Sequence, residues 1–146
     1  MTLLLGAGGA IPRSQRDTMD IHAEMYYQAI RNRTSNSDVA NISKHSGFSF
    51  EDVLKIKTHV FMNYHDLGYD EPSRFDADYD QAQSWQRLET GVGIREMDRV
   101  FLHHELMELT LISEQGLSYF EAHNETNKVY NYQQYVTDLD RKEGMQ

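Results

Sequence analysis

The sequence predicts an all-α, single compact domain of about six helices arranged around a central helix at residues 98–112. Three observations lead there. No run alternates with period two for long enough to form a strand. Apolar residues instead recur at three- and four-residue spacing in successive stretches, each bounded by capping residues or glycine. The stretch from Asp98 to Ile112 holds neither Gly nor Pro, is rich in Leu and Met, and opens on an acid suited to a helix N-terminus.

In chain order, Asp17-Thr-Met-Asp20 reads as a cap for a first helix carrying Met19, His22, Met25, Tyr26, Ala29 and Ile30, ending near Arg33. A short second helix runs from Ser37 to about Lys44 and turns at Gly47. Ser49-Phe-Glu-Asp52 is a capping box for a third, with Val53, Ile56, Val60 and Tyr64 on one side, His59 on its flank and His65 at its frayed end. Gly68 and Pro72 mark a loop. The next helix carries Tyr79, Ala82, Trp85 and Leu88 inward and stops at Gly91 and Gly93. The central helix ends before Gly116. A last helix starts near Ser118 and carries Tyr119, Phe120, His123, Tyr130 and Tyr132. Residues 17–136 are therefore the domain, residues 1–16 a mobile leader or junction, and residues 137–146 a charged tail expected to fray.

At about 100° per residue, Phe101, Glu105, Glu108 and Ile112 share one face of the central helix. His104 and Leu111 lie on one flank of it, Leu102 and Leu109 on the other. Arg99, His103, Thr110 and Ser113 take the opposite side. This helix is expected to be the most buried, yet its apolar face carries two carboxylates. An unpartnered buried carboxylate costs several kcal/mol, so Glu105 and Glu108 need a metal, a proton, or an Arg or His partner. Arg74 and Arg87 are the expected guanidiniums for a purely structural network.

Composition narrows the function classes. The chain has no cysteine, which excludes disulfides, thiolate zinc and a Cys nucleophile. Net charge is −9 and uneven: residues 70–121 hold four basic and twelve acidic groups. Such a field repels polyanions at long range and argues against broad nucleic-acid binding. The first ten residues are too short an apolar run, without a basic start, for a signal peptide or membrane span.

Several motifs carry chemistry. His104-Glu-Leu-Met-Glu108 ends on Glu where the zinc-protease pattern has a second His, although a carboxylate is an acceptable zinc ligand. On that reading His104 and Glu108 ligate a divalent metal, with His59 or His123 as the third donor and Glu105 as base. Asp76-Ala-Asp-Tyr-Asp80 fails as a calcium loop, because Gln81 and Arg87 replace the required Gly and Glu; it caps the following helix instead. His59, His104 and His123 sit on inner sides of three different helices, whereas His45 and His103 face solvent. Two imidazoles beside a guanidinium suit metal-free cleavage of RNA, with Arg87 stabilising charge on phosphate. Residues 38–57 have the form of a helix-turn-helix made basic by Lys44, Lys55 and Lys57.

The series His59-Val-Phe, Arg74-Phe-Asp with Trp85-Gln-Arg-Leu88, His104-Glu-Leu-Met-Glu108, Glu121-Ala-His123 and Tyr130-Asn-Tyr132 resembles a domain at the C-termini of bacterial polymorphic toxins and some phage head proteins, over about residues 20–135. The resemblance implies a released effector, a cognate immunity protein as partner, and action in the bacterial cytoplasm after delivery within a larger secreted protein. Many such payloads are nucleases. The expectation is therefore a toxin-like hydrolase, an RNase without cofactor, using His104 and His123 as acid and base, Glu105 and Glu108 as orienting groups and Arg87 at phosphate. Arg74, Trp85 and Tyr130 are expected to bind substrate. The alternatives are a metal-dependent hydrolase using His104, Glu105 and Glu108, with His59 completing the ligand set, and a non-catalytic interaction or helix-turn-helix adaptor module of phage origin.

Overall fold

Residues 11–143 are described by a computed structural model of the chain, and among them the fold is all-α with seven helices. They are α1 (Arg16–Asn32), α2 (Ser37–Ser46), α3 (Phe50–Lys57, continued by a π-helical turn Thr58–Met62), α4 (Tyr79–Thr90), α5 (Glu96–Gln115), α6 (Tyr119–Asn127) and α7 (Tyr132–Lys142). The seventh arises because the expected last helix breaks in two, with Asn131 capping α7 through the Gln134 amide.

Local chemistry explains the boundaries. Ser49 accepts from the Asp52 amide, Asp78 from the Gln81 amide and Ser118 from the Glu121 amide, so each of these helices begins at a side-chain cap. Helix α1 differs from expectation: it starts at Arg16 behind Gln15 without a side-chain cap, and Asp17 lies in its first turn. Helix α4 ends at Gly91, which has φ 75°. A Cβ there would lie 2.9 Å from the His45 ring, so only glycine fits both the turn and the approach. His45 is accordingly half-buried, donating from Nδ1 to the Leu88 carbonyl at 2.7 Å, and does not face solvent as its sequence position suggested.

Helix α5 is the hub, packing against α3, its π turn, α4, α6 and α7. It is not the most buried element. Eight of the twelve residues of α4 are buried, against seven of twenty in α5, because α4 is covered by α1, α2 and α5 on several sides. Trp85 on α4 is wholly buried, edge-on to Phe61 at 5.1 Å, with its indole N–H donating to Asp38. Asp38 also takes Lys57 Nζ at 3.0 Å. The 38–57 segment does fold as helix, Gly turn, helix, but this pair withdraws Lys57 from any DNA-facing surface.

The two ends of the domain are more firmly held than expected. Arg13, placed in the leader by sequence, is buried and bridges Asp80 on α4 (2.7 Å) and Asp140 on α7 (2.6 Å). Residues 137–142, expected to fray, continue α7 as helix and supply Asp140. Residues 1–10 and 144–146 of the leader and tail lie outside the described residues. Arg13→Ala leaves Asp80 buried without its guanidinium and is expected to lower the unfolding free energy in urea by about 3 kcal/mol. A loss below about 0.5 kcal/mol, the level of an exposed pair, would show that the bridge does not hold the ends.

Candidate active site

The sequence places His104, Glu105 and Glu108 on one turn of α5. Residues three and four apart on a helix share a face, so all three project together, toward α6 and the π turn. Helix α6 begins directly after the Gly116 turn, fixed by a reciprocal Ser118–Glu121 capping box, and packs along α5 with His123 facing it. The π turn supplies the third side. The Asn63 amide bonds to the Thr58 carbonyl five residues back at 2.9 Å, widening the helix so that His59 meets α5.

Glu108 is the centre of the constellation. Its Oε1 accepts from His59 Nε2 at 2.8 Å and its Oε2 from His123 Nδ1 at 2.8 Å, with His104 Nε2 at 3.3 Å from Oε2. Glu105 stands beside it, 3.7 Å from His104 Nε2 and 3.9 Å from His59 Nε2. Burial alone would raise the Glu108 carboxyl, but hydrogen bonds from His104, His123 and His59 overcome this and hold it well below its ordinary range. Glu105 lacks such donors, and burial followed by the neighbouring Glu108 charge pushes it up to about 8. Burial opposes the charged form of His104, yet the Glu108 bond, the Glu105 charge and the Tyr130 carbonyl together raise it.

The imidazoles are oriented as ligands are. His104 Nδ1 donates to the Tyr130 carbonyl at 2.8 Å, which commits the other ring nitrogen, Nε2, to the carboxylates. Neutral His104 therefore presents a lone pair to Glu105 and Glu108, an arrangement that requires a proton or a cation between them. His123 Nε2 meets the Asn127 side-chain amide at 3.2 Å, and Asn127 Oδ1 is buried without a partner. Turning that amide over would let Oδ1 accept from His123 Nε2–H and free Nδ1 as a ligand. Two sets of donors lie within 4.8 Å of one another: His104, Glu108 and His123, and His59, Glu105 and Glu108. Nitrogen and carboxylate donors of this kind suit zinc, manganese or iron.

The cluster floors an open cavity of about 320 Å³, reached by His104, Glu105, Glu108 and His123 and walled by Phe75, Tyr119, Asp76 and Asp78. Tyr119 stacks on His123 at 5.5 Å. No Lys or Arg lines it. No family model, curated protein or solved structure matches the chain. The site must be read from its own geometry.

Of the residues expected at the site, His59, His104, Glu105, Glu108 and His123 are brought together. Arg87 is not: its guanidinium is held bidentately by buried Asp98 on α5 at 2.7 and 2.8 Å, so neither glutamate pairs with it. Arg74 donates to the Met62 carbonyl and lies over Tyr64, away from the cavity. Trp85 cannot bind substrate from inside the core. Tyr130 contributes its backbone carbonyl, while its ring stacks on His103 at 4.8 Å, so exposed His103 is not free of the site's surroundings. Tyr119 and Asn127 were missed by residue type, although Tyr119, His123 and Asn127 follow one another at four-residue spacing and so share a face of α6.

Proposed function

We propose that this chain is a metal-dependent hydrolase of toxin-like, effector type. One observation carries the reading: three imidazoles and two carboxylates from three elements converge on Glu108 at the floor of an open cavity that offers no guanidinium or ammonium. Metal-free cleavage of RNA, the leading expectation from sequence, needs a cation at phosphate, and Arg87 is committed to Asp98. A bound divalent cation would supply that charge, together with a water of lowered pKa.

His104, Glu108 and His123 hold the cation, with His104 fixed through the Tyr130 carbonyl and His123 through Asn127. Glu105, ionised in the presence of that charge, takes a proton from the attacking water and returns it to the leaving group. Asp76 and Asp78 at the walls repel an anionic substrate such as RNA unless the cation faces it, so neutral or cationic substrates enter more readily. In the effector setting the cavity is also the surface that a cognate immunity protein covers, and the target lies in the bacterial cytoplasm. Among the described residues no helix is long and apolar enough to cross a membrane.

Saturating zinc or manganese is expected to raise the melting temperature of chelator-treated protein by roughly 10 °C, as binding at about a hundredfold excess over Kd gives about 2.7 kcal/mol. His104→Ala and His123→Ala should lose that shift and relieve toxicity on cytoplasmic expression in bacteria. Lys44→Ala, exposed on α2, should keep both. A wild-type protein indifferent to zinc, manganese and cobalt, and harmless when well expressed, would overturn the reading.

A further inference from the structure

We propose that the site takes a second divalent cation, held by His59, Glu105 and Glu108, with the Glu108 carboxylate bridging the two ions; the inference rests on the metal-dependent reading above. The two oxygens of Glu108 are spoken for separately. Oε2 faces His104 and His123, and Oε1 faces His59. A single cation on the first side uses one oxygen and two imidazoles, which leaves a complete His–Glu–Glu set on the other.

That second set is built rather than incidental. His59 is 5% exposed and comes from the π turn, the one element of the site that departs from α-helical form. Its backbone carbonyl accepts from His65 Nε2 at 2.8 Å, and its ring sits edge-on to His65 (4.8 Å) and Phe75 (5.3 Å). Those contacts fix its direction toward Glu108. Glu105 is buried against a second carboxylate, and no Lys or Arg reaches it through an ion pair. A cation on the His59 side answers that unpartnered charge, as it would not if Glu105 served one ion only as a base. Two ions sharing a carboxylate sit about 3.5–4 Å apart, the separation at which both the attacking and the leaving oxygen of a substrate can be clamped. The substrate class this adds is one with an in-line displacement at phosphorus or an amide carbonyl, held by the ions and not by basic side chains.

Manganese titration of the full chain by calorimetry, followed by electron paramagnetic resonance, separates the alternatives. Wild type is expected to bind two equivalents and to give the broadened spectrum of an exchange-coupled pair. His59→Gln, which leaves the first set intact, should bind one and give the spectrum of an isolated ion, with circular dichroism confirming its helical content. Glu105→Gln is the second variant and should also lose the coupling. One equivalent in wild type, or two without coupling, overturns the second subsite while leaving the metal-dependent reading in place. No binding of manganese or zinc by folded wild type overturns both.

Discussion

Glu105→Gln is expected to abolish turnover while making the metal-free protein more stable. The carboxylate is the proton acceptor of the proposed reaction, and loss of a positioned base costs about 10²- to 10⁴-fold in rate. The same group is a liability to the fold. Burial, and then the charge of Glu108, raise it from 4.5 to about 8, so the folded protein binds this proton more tightly than the unfolded chain does. Its contribution to stability is therefore fully present below about pH 4.5, shrinks as the pH rises, and is lost above about 8. Chelator-treated wild type should weaken across that window by an amount on the order of a few kcal/mol, since each tenfold change in proton affinity is worth about 1.4 kcal/mol. The glutamine variant should be flatter. Urea unfolding at several pH values measures this. Parallel curves for the two proteins would mean that Glu105 is not held against its preference.

The largest structural effect should come from Asp98→Ala. Asp98 is wholly buried and takes Arg87 through two bonds, Ser84 Oγ at 2.7 Å and the Arg95 amide at 2.9 Å. Its removal strands a guanidinium whose side chain is 11% exposed and uncaps the start of α5. A loss of about 3–5 kcal/mol is expected, the usual result of breaking a buried pair from one side. That is a large part of the stability of a domain this size. Arg87→Ala should cost less, because Asp98 retains Ser84 and the Arg95 amide. Equal losses, or a loss of rate in Arg87→Lys without a loss of stability, would return Arg87 to the active site.

Periodicity carried the sequence reading further than chemistry did. The inward set of α5 was legible because a 3.6-residue repeat fixes direction within one helix, and the cost of buried charge then demanded partners for Glu105 and Glu108. His59 and His123 were found as inward-facing residues on other helices by the same rule. The failures lie where partner choice depends on how helices dock. Arg87 had many carboxylates within reach of sequence argument, and only the α4–α5 packing selects Asp98 over Glu105. Trp85 was correctly placed on an inner stripe, and that position is what disqualifies it from binding substrate. The Arg13 bridge joins groups 67 and 127 residues apart, a distance no local pattern can signal. Asp38, which gathers Lys57 and Trp85, is invisible for the same reason.

The π turn at Thr58–Met62 makes the site sensitive to counting as well as to composition. A segment that closes its hydrogen bonds five residues back holds one residue more than an α-turn would need. Deleting any one residue within it would let the helix relax to ordinary winding and rotate everything beyond the deletion by about 100°. A relative that had lost that residue could keep His104, Glu105, Glu108 and His123 unchanged and still retain a histidine near position 59, yet bring only part of the constellation together. Length in this short segment, more than the identity of its side chains, is therefore what would separate active members from inert ones.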